Sequence, residues 1–215
     1  MTLIFNINAD NVEKAINCVE LGQICKTYFG IQAYDRKASI SNVKSSDKYL
    51  PLIDGADIHP YLYATPKIYF NYLPENIKSG GDWKVYSRER IVVRQIGSVP
   101  IVGLCKENIL ASNTLYSVYP KDESYNLLYI LACLNSSYIK NYWKARYSDN
   151  KATFPKIKGF QLKGLPIPIA TKEQQQSIIK LASEIVAIKT ADKDNPTNII
   201  ETELDKIISM LYFEK

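Results

Sequence analysis

The sequence predicts an α+β chain: a small mixed or antiparallel β domain with flanking helices, followed by an antiparallel helical hairpin at the C-terminus. Three observations carry that expectation. Residues 21–120 break into short β-prone runs divided by Gly, Pro, Asn and Asp, residues 125–144 switch to helical spacing, and two apolar seams follow residue 171. The length of 215 residues allows one ordinary domain with a small appendage, and 46% hydrophobic with 23% charged residues excludes a disordered chain. No run approaches the ~20 apolar residues of a membrane-spanning helix. The segment from Met1 to Asp10 lacks the basic start of a secretory signal, so a cytoplasmic protein is the expectation.

Taken in order, Asp10 with Glu13 has the form of a capping arrangement, and Val12, Ala15, Ile16 and Val19 recur at helical spacing. A short amphipathic helix is expected over about residues 10–20. Strands are expected at Lys67-Ile68-Tyr69-Phe70, from Arg90 to Ile96, from Pro100 to Leu104 and from Thr114 to Tyr119. Lys106-Glu107-Asn108 reads as a hairpin connection between the last two. Leu127, Leu128, Ile130, Leu131, Leu134 and Tyr138 then mark a helix. Gly30 and Gly55 read as turn positions with positive φ, and Asp54 or Asp57 as bonding its own turn backbone.

Leu165-Pro166-Ile167-Pro168 enforces an extended exit, because proline disfavours helix in the residue before it. Thr171-Lys172-Glu173-Gln174 is a capping box, from which Ile178, Leu181, Ile185 and Ile188 form one seam. The segment from Asp192 to Pro196 interrupts it, with Pro196 suited to the first turn of a second helix carrying Ile200, Leu204, Ile207 and Leu211. The two helices either stand as a hairpin joined along their seams or cap the preceding domain.

Cys18, Cys25, Cys105 and Cys133 form no C-x-x-C pair, and His59 is the only histidine. Free, buried or half-buried thiols are expected, with no metal site, and His59 is read as structural. Charge is uneven: residues 60–170 hold 15 Lys and Arg against 7 Asp and Glu, while residues 171–215 hold 6 against 8. Aromatics are interleaved with the central cations, as from Trp83 to Arg90 and from Tyr142 to Tyr147, a composition suited to a polyanion.

The order of several short pieces resembles the TaqI-like C-terminal specificity domain of restriction-modification enzymes, and is similar to the target-recognition domains of type I specificity subunits. These pieces are Leu21-Gly22-Gln23-Ile24-Cys25, Phe29-Gly30-Ile31, the run from Leu52 to Ile58, and Val92-Val93-Arg94-Gln95-Ile96. They continue through the run from Ala111 to Tyr116, the run from Leu131 to Ser136, and the run from Leu162 to Pro168. Gln174-Gln175-Gln176 and a closing helix pair complete the order.

The resemblance implies a DNA target-recognition domain over residues 1–170 and a helical spacer or docking element over 171–215. It implies double-stranded DNA and a methyltransferase or endonuclease component as partners. Such a module is non-catalytic, and S-adenosylmethionine and magnesium would belong to the catalytic component. Candidate DNA contacts are Lys84, Arg88, Arg90, Arg94 and Gln95 in the strand section, and Lys144, Arg146, Asn150, Lys151, Lys156 and Lys158 after the helix. Arg88 and Arg94 would offer two-pronged donors to guanine and Gln95 would pair with adenine, with Asn150 a further base reader.

The motifs of an engine are missing from the sequence. It holds no Asn-Pro-Pro-aromatic string, the nearest being Asn71-Tyr72-Leu73-Pro74, and no glycine-rich loop in a βαβ setting. Asp35-Arg36-Lys37 is only a fragment of a metal-nuclease pattern. The competing expectation is a protein-interaction domain that works through the hairpin, its basic face incidental; a weaker third is an unrecognised hydrolase.

Overall fold

Val92 and its neighbours Ile91 and Val93 lie on opposite faces of one strand, as pleating requires, and all three are buried. The strand therefore has a core on each side. The computed structural model describes residues 17–147 and 156–213.

In chain order the strands are β1 (Cys18–Glu20), β2 (Cys25–Phe29), β3 (Gln32–Ala33), β4 (Ile40–Ser41), β5 (Tyr49–Ile53), β6 (Ile58–His59) and β7 (Leu62–Tyr63). They continue as β8 (Ile68–Asn71), β9 (Ile77–Ser79), β10 (Arg90–Arg94), β11 (Val102–Cys105), β12 (Leu110–Ala111), β13 (Leu115–Pro120) and β14 (Pro166–Pro168). The longer helices are α1 (Leu127–Asn135), α2 (Ser137–Tyr147), α3 (Lys172–Ala191) and α4 (Asn198–Leu211).

An antiparallel sheet in the order β11-β10-β13-β2 forms the middle layer. Ile91, Val93, Val102 and Val118 face a helical core built on Ile130, Leu131, Leu134, Ile178, Ile185 and Leu204. Val92, Cys105 and Leu115 face a second core containing Leu52, Ile53 and Phe70 from a second sheet, ordered β12-β5-β8-β4. The α+β expectation holds, with the longer helices segregated to one face of the middle sheet.

Several expectations are corrected. Of the segment 10–20, residues 10–16 lie outside the described residues; Cys18–Glu20 is not helix but strand β1, paired antiparallel with Pro166–Pro168. Lys106-Glu107-Asn108 joins no hairpin. β11 pairs with β10, while the chain after Asn108, which has φ 63°, crosses to the second sheet as β12 and pairs parallel with β5. Gly30 and Gly55 do not take positive φ; among the described glycines only Gly80 does, at 75°. Gly30 is needed for close approach instead, since a Cβ there would lie 2.0 Å from the Ser112 carbonyl oxygen. Asp57 does bond its own turn, accepting from the Asp54 amide at 2.7 Å.

The helical run at 125–144 divides at Ser136 into α1 and α2. Asn126 caps α1 by accepting from Leu128 N at 2.8 Å, and Ser136 Oγ turns back to Cys133 O. The Thr171–Gln174 capping box forms in both directions, at 3.3 and 2.8 Å. Pro196 does not enter the first turn of α4, which follows the cap residue Thr197. The predicted seam is also rotated. α3 packs on α1 as well as on α4, so Ile178, Ala182 and Ile185 are buried, while Leu181 and Ile188 are half-buried. On α4 the buried apolar positions are Leu204, Ile208 and Leu211. The hairpin thus completes the helical core, the capping arrangement of the two left open by the sequence.

None of the four cysteines forms a disulfide. Burial pushes the thiol of Cys18 up to about 11 and those of Cys25 and Cys133 to about 12; it also raises the phenols of Tyr129 and Tyr212. A group whose pKa is raised by folding stabilises the fold below its unfolded value and loses that contribution as pH rises through the folded value. With unfolded thiols near ~8.5 and phenols near ~10, the urea midpoint is expected to hold from pH 7 to 8 and to fall steadily from pH 9 to 12. A flat profile over that upper range would contradict the burial of these groups.

Candidate nucleic-acid interface

β10 carries the predicted cations out to both ends of the middle sheet. Arg88 precedes it and Arg94 closes it, so the two stand about 20 Å apart at ~3.3 Å per residue.

At the Arg88 end, the helical turn Trp83–Tyr86 is capped by Asp82, which accepts from Lys84 N at 3.0 Å. Lys84 is exposed on this turn. Arg88 donates through Nε to the Lys84 carbonyl at 3.0 Å, and its guanidinium lies 4.8 Å from the centre of the Tyr119 ring. One nitrogen and one face of the guanidinium are thereby committed, which holds the remaining nitrogens toward solvent. Lys26, opposite Tyr119 in the β2–β13 register, adds a third exposed cation. Trp83 is exposed beside Tyr72, ring centres 5.5 Å apart.

At the opposite end, Arg94 is half-buried next to the turn at Gly55. Gly55 N donates to Thr114 Oγ1 at 2.8 Å, and Gln95 N to the Thr114 carbonyl at 2.9 Å. Ile157 N donates to the Gln95 carbonyl at 2.8 Å, so Lys156 and Lys158, both exposed, flank a segment pinned to the end of β10. Arg36 adds a cation here, held by Asp54 at 2.7 Å.

Lys144 and Arg146 sit apart from both groups, exposed on the last turn of α2, with Arg146 6.0 Å from the Tyr142 ring. Asn150 and Lys151 lie outside the described residues.

Two predicted contacts are overturned. Arg90 is 0% exposed. Its Nε donates to Ser117 Oγ at 3.1 Å, Nη1 to the carbonyls of Lys106 and Arg88 at 3.2 and 3.4 Å, and Nη2 to the Ile109 carbonyl, with the Tyr86 ring over the guanidinium. Arg90 is a structural pin, because its parity on β10 is that of Val92 and directs it between the sheets. Gln95 is 3% exposed and cannot present its amide to a base edge.

Sequence reasoning missed Lys26, Arg36 and the aromatic support Tyr119. The alternation of β2 offered a signal for Lys26; nothing local marked Tyr119 as the shelf for Arg88. Asp35, the acidic member of the nuclease-like fragment, is a helix cap accepting from Lys37 and Ala38 amides. Among the described residues no group of three His, Cys, Asp or Glu side chains is placed to hold a metal, and His59 is exposed in β6. No described helix is long and apolar enough to cross a membrane.

The fold is shared with solved proteins. An HsdS subunit from Thermoanaerobacter tengcongensis superposes over 92% of this chain and 44% of its own, with a TM-score of 0.53 and 19% identity. The S subunit of a type I restriction-modification system from M. genitalium gives 88% and 42%, with a TM-score of 0.55 and 15% identity. The type IIL restriction-modification enzyme MmeI, solved in complex with DNA, gives 93% and 35%, with a TM-score of 0.58 and 12% identity. The chain therefore spans less than half the length of each of these structures. No curated protein matches it. The model of the TaqI-like C-terminal specificity domain matches residues 50–167, a segment that contains both ends of β10, α2 and every predicted site residue. By that match the chain belongs to the family of TaqI-like C-terminal specificity domains.

Proposed function

We propose that this chain reads a DNA sequence on behalf of a restriction-modification enzyme and does no chemistry itself. The observation that supports this most directly is a set of cations within the family-matched segment. Lys84, Arg88, Arg94, Lys144, Arg146, Lys156 and Lys158 are exposed or half-exposed, and none is ion-paired among the described residues. Unpaired cations on a rigid framework suit phosphates, which set affinity and register, while the arginines held by neighbours suit base edges in the major groove. S-adenosylmethionine and magnesium would be held by the methyltransferase or endonuclease component. The outer face of α4 leaves Ile199 85% and Met210 43% exposed, a surface suited to docking that component.

Selection from a random duplex pool tests the reading, and recovery of one shared sequence is the expected result. A pool that stays random would leave only non-specific binding. For the selected site, Lys84→Glu with Arg88→Glu, or Lys156→Glu with Lys158→Glu, is expected to weaken binding across all sequences. Each lost phosphate contact should lower the slope of log affinity against log salt by about 0.9. Lys180→Glu on α3 is the control and should leave the slope alone; a larger effect there than at the two pairs would misplace the interface.

Incubation of the chain with labelled S-adenosylmethionine, or with magnesium and plasmid, is expected to give no incorporation and no nicking. Turnover that tracks the purified chain would show a catalytic site within it.

A further inference from the structure

Beside the Arg94 end of the sheet lies a pocket of about 200 Å³ that phosphate contacts would not use. Its walls include Ile31, Leu52 and Phe70, all buried, so part of its inner surface is apolar. Gln32 and Asn113 also line it, and neither side-chain amide has a hydrogen-bond partner among the described residues. Both are held in place through the main chain: Gln32 pairs with Ser79 in the β3–β9 ladder, and Asn113 N donates to the Ile31 carbonyl at 2.9 Å. Arg36, fixed by Asp54, and Tyr34, 69% exposed, stand at the same pocket.

The volume falls below the ~300–1,000 Å³ typical of sites for drug-sized ligands. One ring system is the largest group it suits. An aliphatic side chain would match the inner wall but leave two amides desolvated and unpaired. A flat heterocycle with donors and acceptors on its edge satisfies both, since each amide offers an acceptor oxygen and two donor hydrogens, and a tyrosine supplies a face to stack on.

Resting on the reading of the chain as a DNA-recognition module, we propose that this pocket receives a single unstacked nucleobase from the bound DNA, with Asn113 and Gln32 reading its edge and Tyr34 stacking on it. The chain then recognises one position of its site by extrusion rather than through the groove. Unstacking is easiest for a base that is already mispaired, so a mismatch at that one position should strengthen binding while mismatches elsewhere weaken it.

The test uses duplexes of the selected site carrying 2-aminopurine at each position in turn, mixed with the full chain alone. A fluorescence rise at one position is expected, with about tenfold tighter binding when that position is mismatched. Asn113→Ala combined with Gln32→Ala should abolish both effects while leaving the circular dichroism spectrum and the salt slope of binding unchanged. A bound duplex with no rise at any position, or a rise that survives the double variant, overturns the proposal and leaves the DNA reading standing. A second arm needs no known site: the amide resonances of Gln32, Ala33 and Asn113 are followed by NMR under millimolar adenosine or cytidine. Shifts at these amides support the pocket even where selection finds no DNA sequence. Unshifted amides, or shifts with an indole compound and none with nucleosides, overturn it.

Discussion

Arg90→Met is expected to cost about 3–5 kcal/mol, a large share of the stability of an ordinary domain. The guanidinium serves Ser117 and the carbonyls of Arg88, Lys106 and Ile109 at once. Methionine fills much of the volume but leaves these acceptors buried without donors, each worth about 1–3 kcal/mol when orphaned. Arg90→Lys keeps the charge and loses the planar fork, so it should recover only part of the loss. Urea denaturation of the three proteins checks this, alongside DNA affinity measured below the unfolding range. A stable Arg90→Met protein with abolished DNA binding would return Arg90 to the interface.

Tyr212→Ala is expected to be of similar size, about 3–5 kcal/mol, the usual range for truncating a buried aromatic. The ring is fully buried and stacked on Tyr138 of α2 with centres 3.5 Å apart, and its hydroxyl donates to the Pro166 carbonyl at 3.0 Å. Tyr212→Phe keeps the stack and should lose only about 1 kcal/mol. Because α3 and α4 share a core with the middle sheet, the parent protein should unfold in one transition, with helix ellipticity and the fluorescence of the buried Trp143 changing together. Separate midpoints would mean that the hairpin folds on its own.

What the sequence disclosed divides by range of interaction. The Thr171 box, the strand at β10 and the helical content of 125–144 rest on residues within a few positions of one another, and all were legible. The passage of the chain from β11 into the second sheet was not. Its causes are the parallel pairing of Leu110 and Ala111 with Leu52 and Ile53 and the reach of Arg90 to Ile109. No local pattern marks either. The same limit explains the candidate site. A charge count found the basic segment but took Arg90 for a DNA contact, although alternation along β10 puts it on the face of Val92. Only the position of the second sheet shows that this face is closed at residue 90 and open at residue 94. Arg36 and Asn113 were out of reach because the pocket they line is assembled from four separate stretches of chain.

The pairing of β1 with β14 has a consequence for how the protein is made. Cys18–Glu20 can find its partner only after Pro166–Pro168 has been synthesised, and β2 must wait for Leu115–Pro120. At translation speeds of ~5–20 residues per second, the first strand stays unpaired on the ribosome for roughly 7–30 s. During that wait Leu21 and Ile24 lack Leu165 and Ile167, with which they share the helical core, so a nascent chain stalled before residue 166 is the form of this protein that most needs a chaperone.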